Sequence, residues 1–317
     1  MKKKLPYLIA LSALAVCLPA VSQAQIARGA ARAIKGGKSA VKLAQGSIKT
    51  PAVPGLKLRV ERAIAEQKID IRGGVENQRT PREAAQRALN VAIYRHESDL
   101  IKPLLAKGAY VNHVYEDGWT LLTKAVKNGD KKSAHTLLAN GADVNLPNHR
   151  GETPLILAAG NFDMTELLLN NSAKVDLQDQ QGNTALMRAH DRKTMTLLLD
   201  NGADPNHQNN EGWTGLMYIA GAGYEADAET IKGVVDRATL LIQRGADVNI
   251  QASSSKTTAL HRAVGLFVVE MTKLLLENGA DPYLLDSHGE DVFHKASWAA
   301  VYRNKWDLYD LVHQYEK

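Results

Sequence analysis

Ten histidines and 34 carboxylates are the groups in this 317-residue chain that could carry acid–base or metal chemistry, and their spacing supports neither. A zinc protease needs His-Glu-x-x-His, which puts both rings on one helix face with the Glu as base, and no such run occurs. Gly-x-Ser-x-Gly, the turn that lifts a serine nucleophile, is missing as well, and so is the phosphate-cradling Gly-x-x-x-x-Gly-Lys-Ser/Thr. The residues with a better claim are aromatic. Trp119 and Trp213 each sit in the sequence Gly-Trp-Thr, and indoles near a turn are enriched at the energetic centres of protein interfaces. The expected chemistry is therefore binding, with no catalytic residue, cofactor or metal.

Those tryptophans must be held by a packed scaffold, and the composition supplies one. Hydrophobic residues make up 44% of the chain and charged residues 23%, enough for a large core, while aromatics at 5% and abundant Ala and Leu favour helix. Charge is unevenly placed. Residues 1–24 hold three Lys and residues 25–59 eight Lys or Arg, neither with an acid, so the rest of the chain carries −6 of the overall +5. A basic nucleic-acid-binding body is excluded by that split, since its electrostatic footprint would have to lie in the body itself.

Lys2–Lys4, the apolar run Leu5–Leu18, Pro19 and Ser22-Gln23-Ala24 form the three parts of a secretory signal, with cleavage expected after Ala24. The apolar run is shorter than the roughly 20 residues a spanning helix needs. Cys17 lies in Leu-Ala-Val-Cys, where Val16 occupies the small-residue position of a lipoprotein signal, so lipidation there is disfavoured. Cleavage after Ala24 leaves a mature chain without cysteine in the periplasm or outside the cell. Residues 25–79 read as a basic, mostly flexible arm, broken by Gly36-Gly37, Gly46 and Thr50-Pro51-Ala52-Val53-Pro54-Gly55. Its cations allow peripheral contact with an anionic envelope surface.

From residue 80 to 317 the chain repeats. Gly108-Ala-Tyr-Val-Asn, Gly141-Ala-Asp-Val-Asn, Ser172-Ala-Lys-Val-Asp, Gly202-Ala-Asp-Pro-Asn, Gly245-Ala-Asp-Val-Asn and Gly279-Ala-Asp-Pro-Tyr recur at spacings of 33, 31, 30, 43 and 34. A Leu-rich segment precedes each, and Gly suits the left-handed position that ends a helix. Thr120, Thr153, Thr184, Thr214 and Thr258 open the units as helix N-caps. Thr80-Pro-Arg-Glu is a capping box that starts a degenerate first unit, and Asp286 to Lys317 forms the last, giving about seven units with caps. The 43-residue spacing leaves a loose loop near 221–227 and an elongated helix over Ala228–Gln243. Trp298 and Trp306 are expected to pack within the final cap, whose outer face should be polar.

Gly151-Glu-Thr-Pro-Leu with Ala158-Ala159, and Thr258-Ala-Leu-His261-x-Ala263, closely resemble the ankyrin repeat. The resemblance implies an all-α ankyrin solenoid in which neighbouring units stack because none can bury its apolar face alone. His261 then has a structural hydrogen-bonding role, and the recurring Asp143, Asp204, Asp247 and Asp281 serve turns. The family grips other proteins with hairpin tips and first helices. Carried over by position, the implied contact residues are Glu116, Asp117, Trp119, Lys127 and Asn128; His149, Arg150 and Glu152; Gln180, Gln181 and Asn183; and Asn210, Glu211 and Trp213. The function this implies is that of an exported, monomeric, non-enzymatic scaffold for one protein partner, acting as an inhibitor, an immunity protein or a support for an enzyme. Its rival is an envelope structural protein tethered through residues 25–59.

Overall fold

A computed structural model describes residues 80–222 and 227–316. The expected signal segment, the basic arm, and part of the expected loop near 221–227 lie outside the described residues. The chain divides after Ala84 into two units, the first described only over Thr80–Ala84. There the capping box is present: the Glu83 N–H donates to Thr80 Oγ1 (3.3 Å) and the Thr80 N–H to Glu83 Oε2 (3.2 Å).

Helices follow in pairs. The first is α1 (Pro81–Tyr94) with α2 (Ile101–Ala106), the latter led in by a 3₁₀ turn at Ser98–Leu100. Next come α3 (Leu121–Lys127) with α4 (Lys131–Ala139), and α5 (Pro154–Ala158) with α6 (Phe162–Leu169). The series continues with α7 (Ala185–Arg188) and α8 (Arg192–Asp200), then α9 (Gly215–Ala220) and α10 (Ala228–Gln243). It ends with α11 (Ala259–Gly265) and α12 (Val269–Glu277), and α13 (Val292–Arg303) and α14 (Trp306–His313). The all-α solenoid is thus present, with the 16-residue α10 over the span its sequence suggests. Among the described residues there is no strand, only an isolated bridge between Val114 and Thr120.

Caps explain most of the helix starts, although Thr184, expected to cap α7, makes no side-chain hydrogen bond there. Thr120, Thr153, Thr214 and Thr258 each accept the N–H three residues on, satisfying a donor that the first turn would otherwise leave open. Asp130, Asn161, Asp191, Asp227 and Asp291 do the same for later helices. Helix ends are equally regular. Four residues before each tail Gly stands a leucine, and Leu137, Leu198, Leu241 and Leu275 are wholly buried. Their carbonyls accept the N–H of the Ala after the Gly, at 2.9 to 3.0 Å. This closes a left-handed C-cap over the core. Each such leucine contributes about 2 kcal/mol of burial. The missing residues of the third and fourth units come out of their first helices: α5 has five residues and α7 four, against seven in α3 and α11.

Neighbouring units are bridged at the hairpin tips and at the tails. One backbone hydrogen bond joins each successive pair of tips, from His149 N–H to Gly118 O (2.8 Å) through Ser287 N–H to Ser255 O (2.9 Å). At the tails, Asn206 Oδ1 accepts from the Asp247 N–H (2.7 Å) while its Nδ2 donates to Gly245 O (2.9 Å), and Asn249 repeats the pattern on Asp281 and Gly279. The tail aspartates accept the N–H two residues on, as Asp204 does from Asn206 (2.8 Å), so their role is turn formation.

The final cap departs from expectation. Trp298 (46% exposed), Val301, Tyr302 and Trp306 (53%) face outward. In α13 the inward positions go to Val292, Phe293, Ala296, Ala299 and Ala300, which puts Trp298 on the opposite face, tilted against the Tyr302 ring at 5.5 Å. Leu308 and Val312 fill the core from α14, leaving Trp306 to meet Tyr309 edge-on at 5.8 Å. These indoles are not core, and the outer face is aromatic.

Candidate partner-binding surface

The hairpin tips get their shape from side chains folded back onto their own backbone. Asn148 Oδ1 accepts the N–H groups of Arg150 (2.8 Å) and Glu152 (3.0 Å), and Asn209 Oδ1 those of Glu211 (3.0 Å) and Trp213 (2.9 Å). Asp179 and Asp286 hold the equivalent places with the same two-bond nests. A short polar side chain that bonds its own turn sets the shape of each of these loops.

Trp119 and Trp213 each follow the tip glycine, three units apart, and both are half-buried. The Lys127 ammonium lies 4.4 Å above the Trp119 ring, and His149 from the next hairpin meets that ring edge-on at 6.3 Å. The Arg262 guanidinium lies 4.0 Å above Trp213, whose ring also meets Tyr218 at 5.3 Å. Such ring–cation contacts are worth about 0.5–1 kcal/mol at exposed sites and more where water is excluded. A groove of about 370 Å³ opens beside Trp119, lined by Asn90, Ile93, Tyr94, Asp117, Lys124, Lys127 and Asn128. Tyr94, 81% exposed, forms its outer wall.

The remaining expected contacts divide by availability. Glu116, Asp117, Lys127, Asn128, His149, Arg150, Gln181 and Glu211 are exposed. Asp117 is also paired with Lys124 at 2.9 Å. Gln180 and Asn210 are exposed, but their amides already tie hairpins together, Gln180 Nε2 to His149 O (2.8 Å) and Asn210 Nδ2 to Gln180 O (2.9 Å). Glu152 is half-buried and accepts from Asn148 Nδ2 (2.7 Å). Asn183 is a correction. It is 7% exposed, its Nδ2 donating to Asp179 Oδ2 (3.3 Å) and its Oδ1 accepting from Asn209 Nδ2 (3.0 Å), so it locks two hairpins together and is not presented to a partner.

Position alone did not single out Asn90, Tyr94, Tyr218 or Arg262. For Tyr218 and Arg262 the signal is periodic: Lys124, Arg188, Tyr218, Arg262 and Lys295 all stand four residues after the Thr or Asp that precedes a unit's first helix, whereas Asn90 and Tyr94 have no such signal. Electrostatics otherwise serve the scaffold. Burial weakens protonation of His261, whose Nδ1 accepts the Thr258 N–H at 3.3 Å, completing a capping box. Burial likewise pushes the Tyr115 phenol up to about 12, outweighing the hydrogen bond from Gln86 (2.7 Å). Among the described residues no three His, Cys, Asp or Glu side chains are placed to share a metal, and no helix is long and apolar enough to cross a membrane.

The family described as ankyrin repeats in three copies matches over residues 62–148, 89–179, 125–209 and 188–286. An ankyrin repeat protein of Acanthamoeba polyphaga mimivirus is 33% identical over 102 residues, 31% of this chain and 22% of that one. The 2-5A-dependent ribonuclease of Homo sapiens is 42% identical over 69 residues, 22% of this chain and 9% of the ribonuclease. An ankyrin repeat-containing protein of Treponema pallidum (strain Nichols) is 33% identical over 76 residues, 24% of this chain and 26% of that protein. The chain thus spans 9% to 26% of the length of these relatives. Among solved structures, the ankyrin repeat domain of Bcl-3, of the IkappaB protein family, aligns with a TM-score of 0.59 at 23% identity over 75% of this chain and 100% of that domain. The human ASB11 ankyrin repeat domain aligns with a TM-score of 0.56 at 26% identity over 70% and 96%.

Proposed function

This chain belongs to the ankyrin repeat family, and from that premise we propose that it is a non-enzymatic scaffold gripping a protein partner on the surface formed by its hairpin tips and first helices. Ankyrin repeats are in general protein–protein interaction modules, and the fold is typically non-catalytic. The observation that carries the reading here is the matched pair Trp119 and Trp213, two half-exposed indoles at the same hairpin place, three units apart, each under a cation. A rigid aromatic held at a turn contributes contact area at low entropic cost. The scaffold acts by occluding or tethering what it holds.

Affinity capture from native envelope extract tests this. The wild-type chain retains a protein that a Trp119→Ala, Trp213→Ala variant loses by about tenfold or more, as expected when interface anchors worth about 2 kcal/mol are truncated. Undiminished retention by a folded double variant overturns the assignment of the anchors.

The reading includes export, supported by Lys2–Lys4, the apolar Leu5–Leu18 and Ser22-Gln23-Ala24. Expression in a Gram-negative host then yields a periplasmic chain whose intact mass corresponds to a start at Gln25. An uncleaved chain confined to the cytosol removes export from the proposal.

A further inference from the structure

Each unit sets the side chain four residues after its capping residue against one hairpin position, the one whose N–H donates to the carbonyl just before the cap. Those donors are Tyr115, Asn148, Asp179, Asn209, Ala252 and Asp286, at 2.9 to 3.0 Å. The facing pairs are complementary in nearly every unit. Lys124 lies over the Tyr115 ring (4.2 Å), Arg188 pairs with Asp179 (2.8 Å), Asn209 donates to the Tyr218 hydroxyl (2.9 Å) and Lys295 pairs with Asp286 (2.7 Å). Leu157 opposite Asn148 asks for no polar partner.

The sixth unit breaks the rule. It keeps the cation, Arg262, but its hairpin is one residue longer and puts Ala252, wholly buried, where Asp179 and Asp286 stand. Arg262 instead lies over the Trp213 ring of the preceding unit and against the backbone of Gly221, where a Cβ would collide with it. Its Nε is buried without a hydrogen-bond partner, and among the described residues no carboxylate pairs with it. Burial works against its charge, with only the Tyr218 phenol in compensation. A half-shielded guanidinium without an anion is unfavourable, and an arriving carboxylate relieves it while gaining a planar, bidentate partner.

The surroundings select for negative charge. The first helices α3, α5, α7, α9, α11 and α13 carry Lys124, Lys127, Arg188, Arg262, Lys295 and Arg303 and not one Asp or Glu. The acids that neutralise Lys124, Arg188 and Lys295 come from the hairpins, leaving Lys127 over Trp119, Arg262 over Trp213 and, in the final cap, Arg303 over Trp298 as ring-bound cations without a carboxylate among the described residues.

We infer that Trp213 and Arg262 form a carboxylate-binding site, and that the partner is an acidic protein segment which inserts a Glu or Asp side chain onto the guanidinium, with Lys127 on Trp119 as a second, more exposed contact for negative charge. The inference rests on the scaffold reading above and adds the chemistry of what is held.

The test is site-resolved modification of the full chain with phenylglyoxal, which reacts with accessible guanidinium groups, read by peptide mass spectrometry. Arg262 reacts in the free chain, and a short poly-glutamate peptide slows that reaction by about tenfold while poly-glutamine of equal length does not. Ala252→Asp, which restores the carboxylate found in the fourth and seventh units, slows it without any peptide. Equal modification with and without poly-glutamate overturns the site. Protection already present in the free chain and abolished by Glu225→Gln also overturns it, because the anion then comes from this chain. In the capture experiment Arg262→Met separates the two readings. Loss with the tryptophan variant but not with Arg262→Met sinks the carboxylate site alone. Protection of Arg262 by poly-glutamate together with unchanged capture by the tryptophan variant sinks the anchor assignment alone.

Discussion

Gly182→Ala is expected to destabilise the array by about 3 kcal/mol or more, against about 1 kcal/mol for Gly141→Ala. Both glycines are left-handed, φ +78 and +85, so both variants bear the same backbone penalty. They differ in what the new methyl meets. At Gly141 nothing lies within 4 Å, whereas at Gly182 a Cβ falls 2.8 Å from the backbone N of Asn210 and 2.6 Å from its Oδ1. Asn210 cannot recede freely, because its N–H is bonded to Gln181 O (3.1 Å) and its Nδ2 to Gln180 O (2.9 Å). The clash must therefore be relieved by parting two hairpins, which loosens the stack beyond the site of substitution. Urea unfolding of the two variants side by side isolates the packing cost. Equal shifts would show that the hairpin contact carries no stability.

Asp286→Asn is the second large effect, and its signature is pH. Burial alone would raise the Asp286 carboxyl. The Lys295 ammonium at 2.7 Å and the N–H groups of Glu290 (3.1 Å) and His288 (2.8 Å) outweigh it, bringing the carboxyl down to about 2. Folded below its unfolded value of 3.8, the group stabilises the native state fully above about pH 4, and that contribution is lost as pH falls towards about 2. The side chain is 2% exposed, so screening by solvent is slight, and the contribution is about 2 kcal/mol. Asn keeps an acceptor for the turn but leaves Lys295 without its closest anion. The variant is accordingly less stable than wild type by about 2 kcal/mol at neutral pH, and the gap closes near pH 2. A gap of constant size at both pH values would mean that shape, not charge, is what Asp286 provides. Asp179, also shielded, with its carboxyl lowered by the Asn183 N–H and Arg188, loses its contribution in the same direction.

The solenoid was legible in the sequence because its defining features are local. A capping Thr, a leucine four before a left-handed Gly, and an Asp bonding its own turn involve residues a few positions apart, so the period carries them whatever the neighbours do. The long α10 was legible for the same reason. What depended on a neighbouring unit was not. Asn183 occupies a hairpin place that carry-over by position treats as surface, yet Asn209 from the next hairpin bonds its Oδ1 and buries it. Arg262 occupies an ordinary first-helix position, and its lack of a hairpin carboxylate like Asp179 or Asp286 follows from a hairpin lengthened by one residue, visible only once the Ala252 to Thr257 hydrogen bond fixes the register. The final cap was expected to have a polar outer face, and only the packed helix shows that the small residues Ala296, Ala299 and Ala300 take the core side and leave Trp298 outside.

The tail asparagines have a consequence for how such an array changes over generations. Asn206 and Asn249 reach across to a glycine carbonyl and an aspartate N–H, groups of the main chain that a neighbouring unit with the same tail presents whatever its side chains are. The ion pairs Asp179–Arg188 and Asp286–Lys295 close within a single unit. These tail bonds and ion pairs therefore survive when a unit is duplicated, deleted or exchanged, which opens array length to drift. Side-chain contacts between successive units are the counterweight, among them Gln86 to Tyr115, His96 to Asp130, Lys131 to Asp163 and Asp200 to Arg244. Asn183 to Asn209 and Trp213 to Arg262 are of the same kind, so neighbours joined in this way must be inherited together or lose the contact.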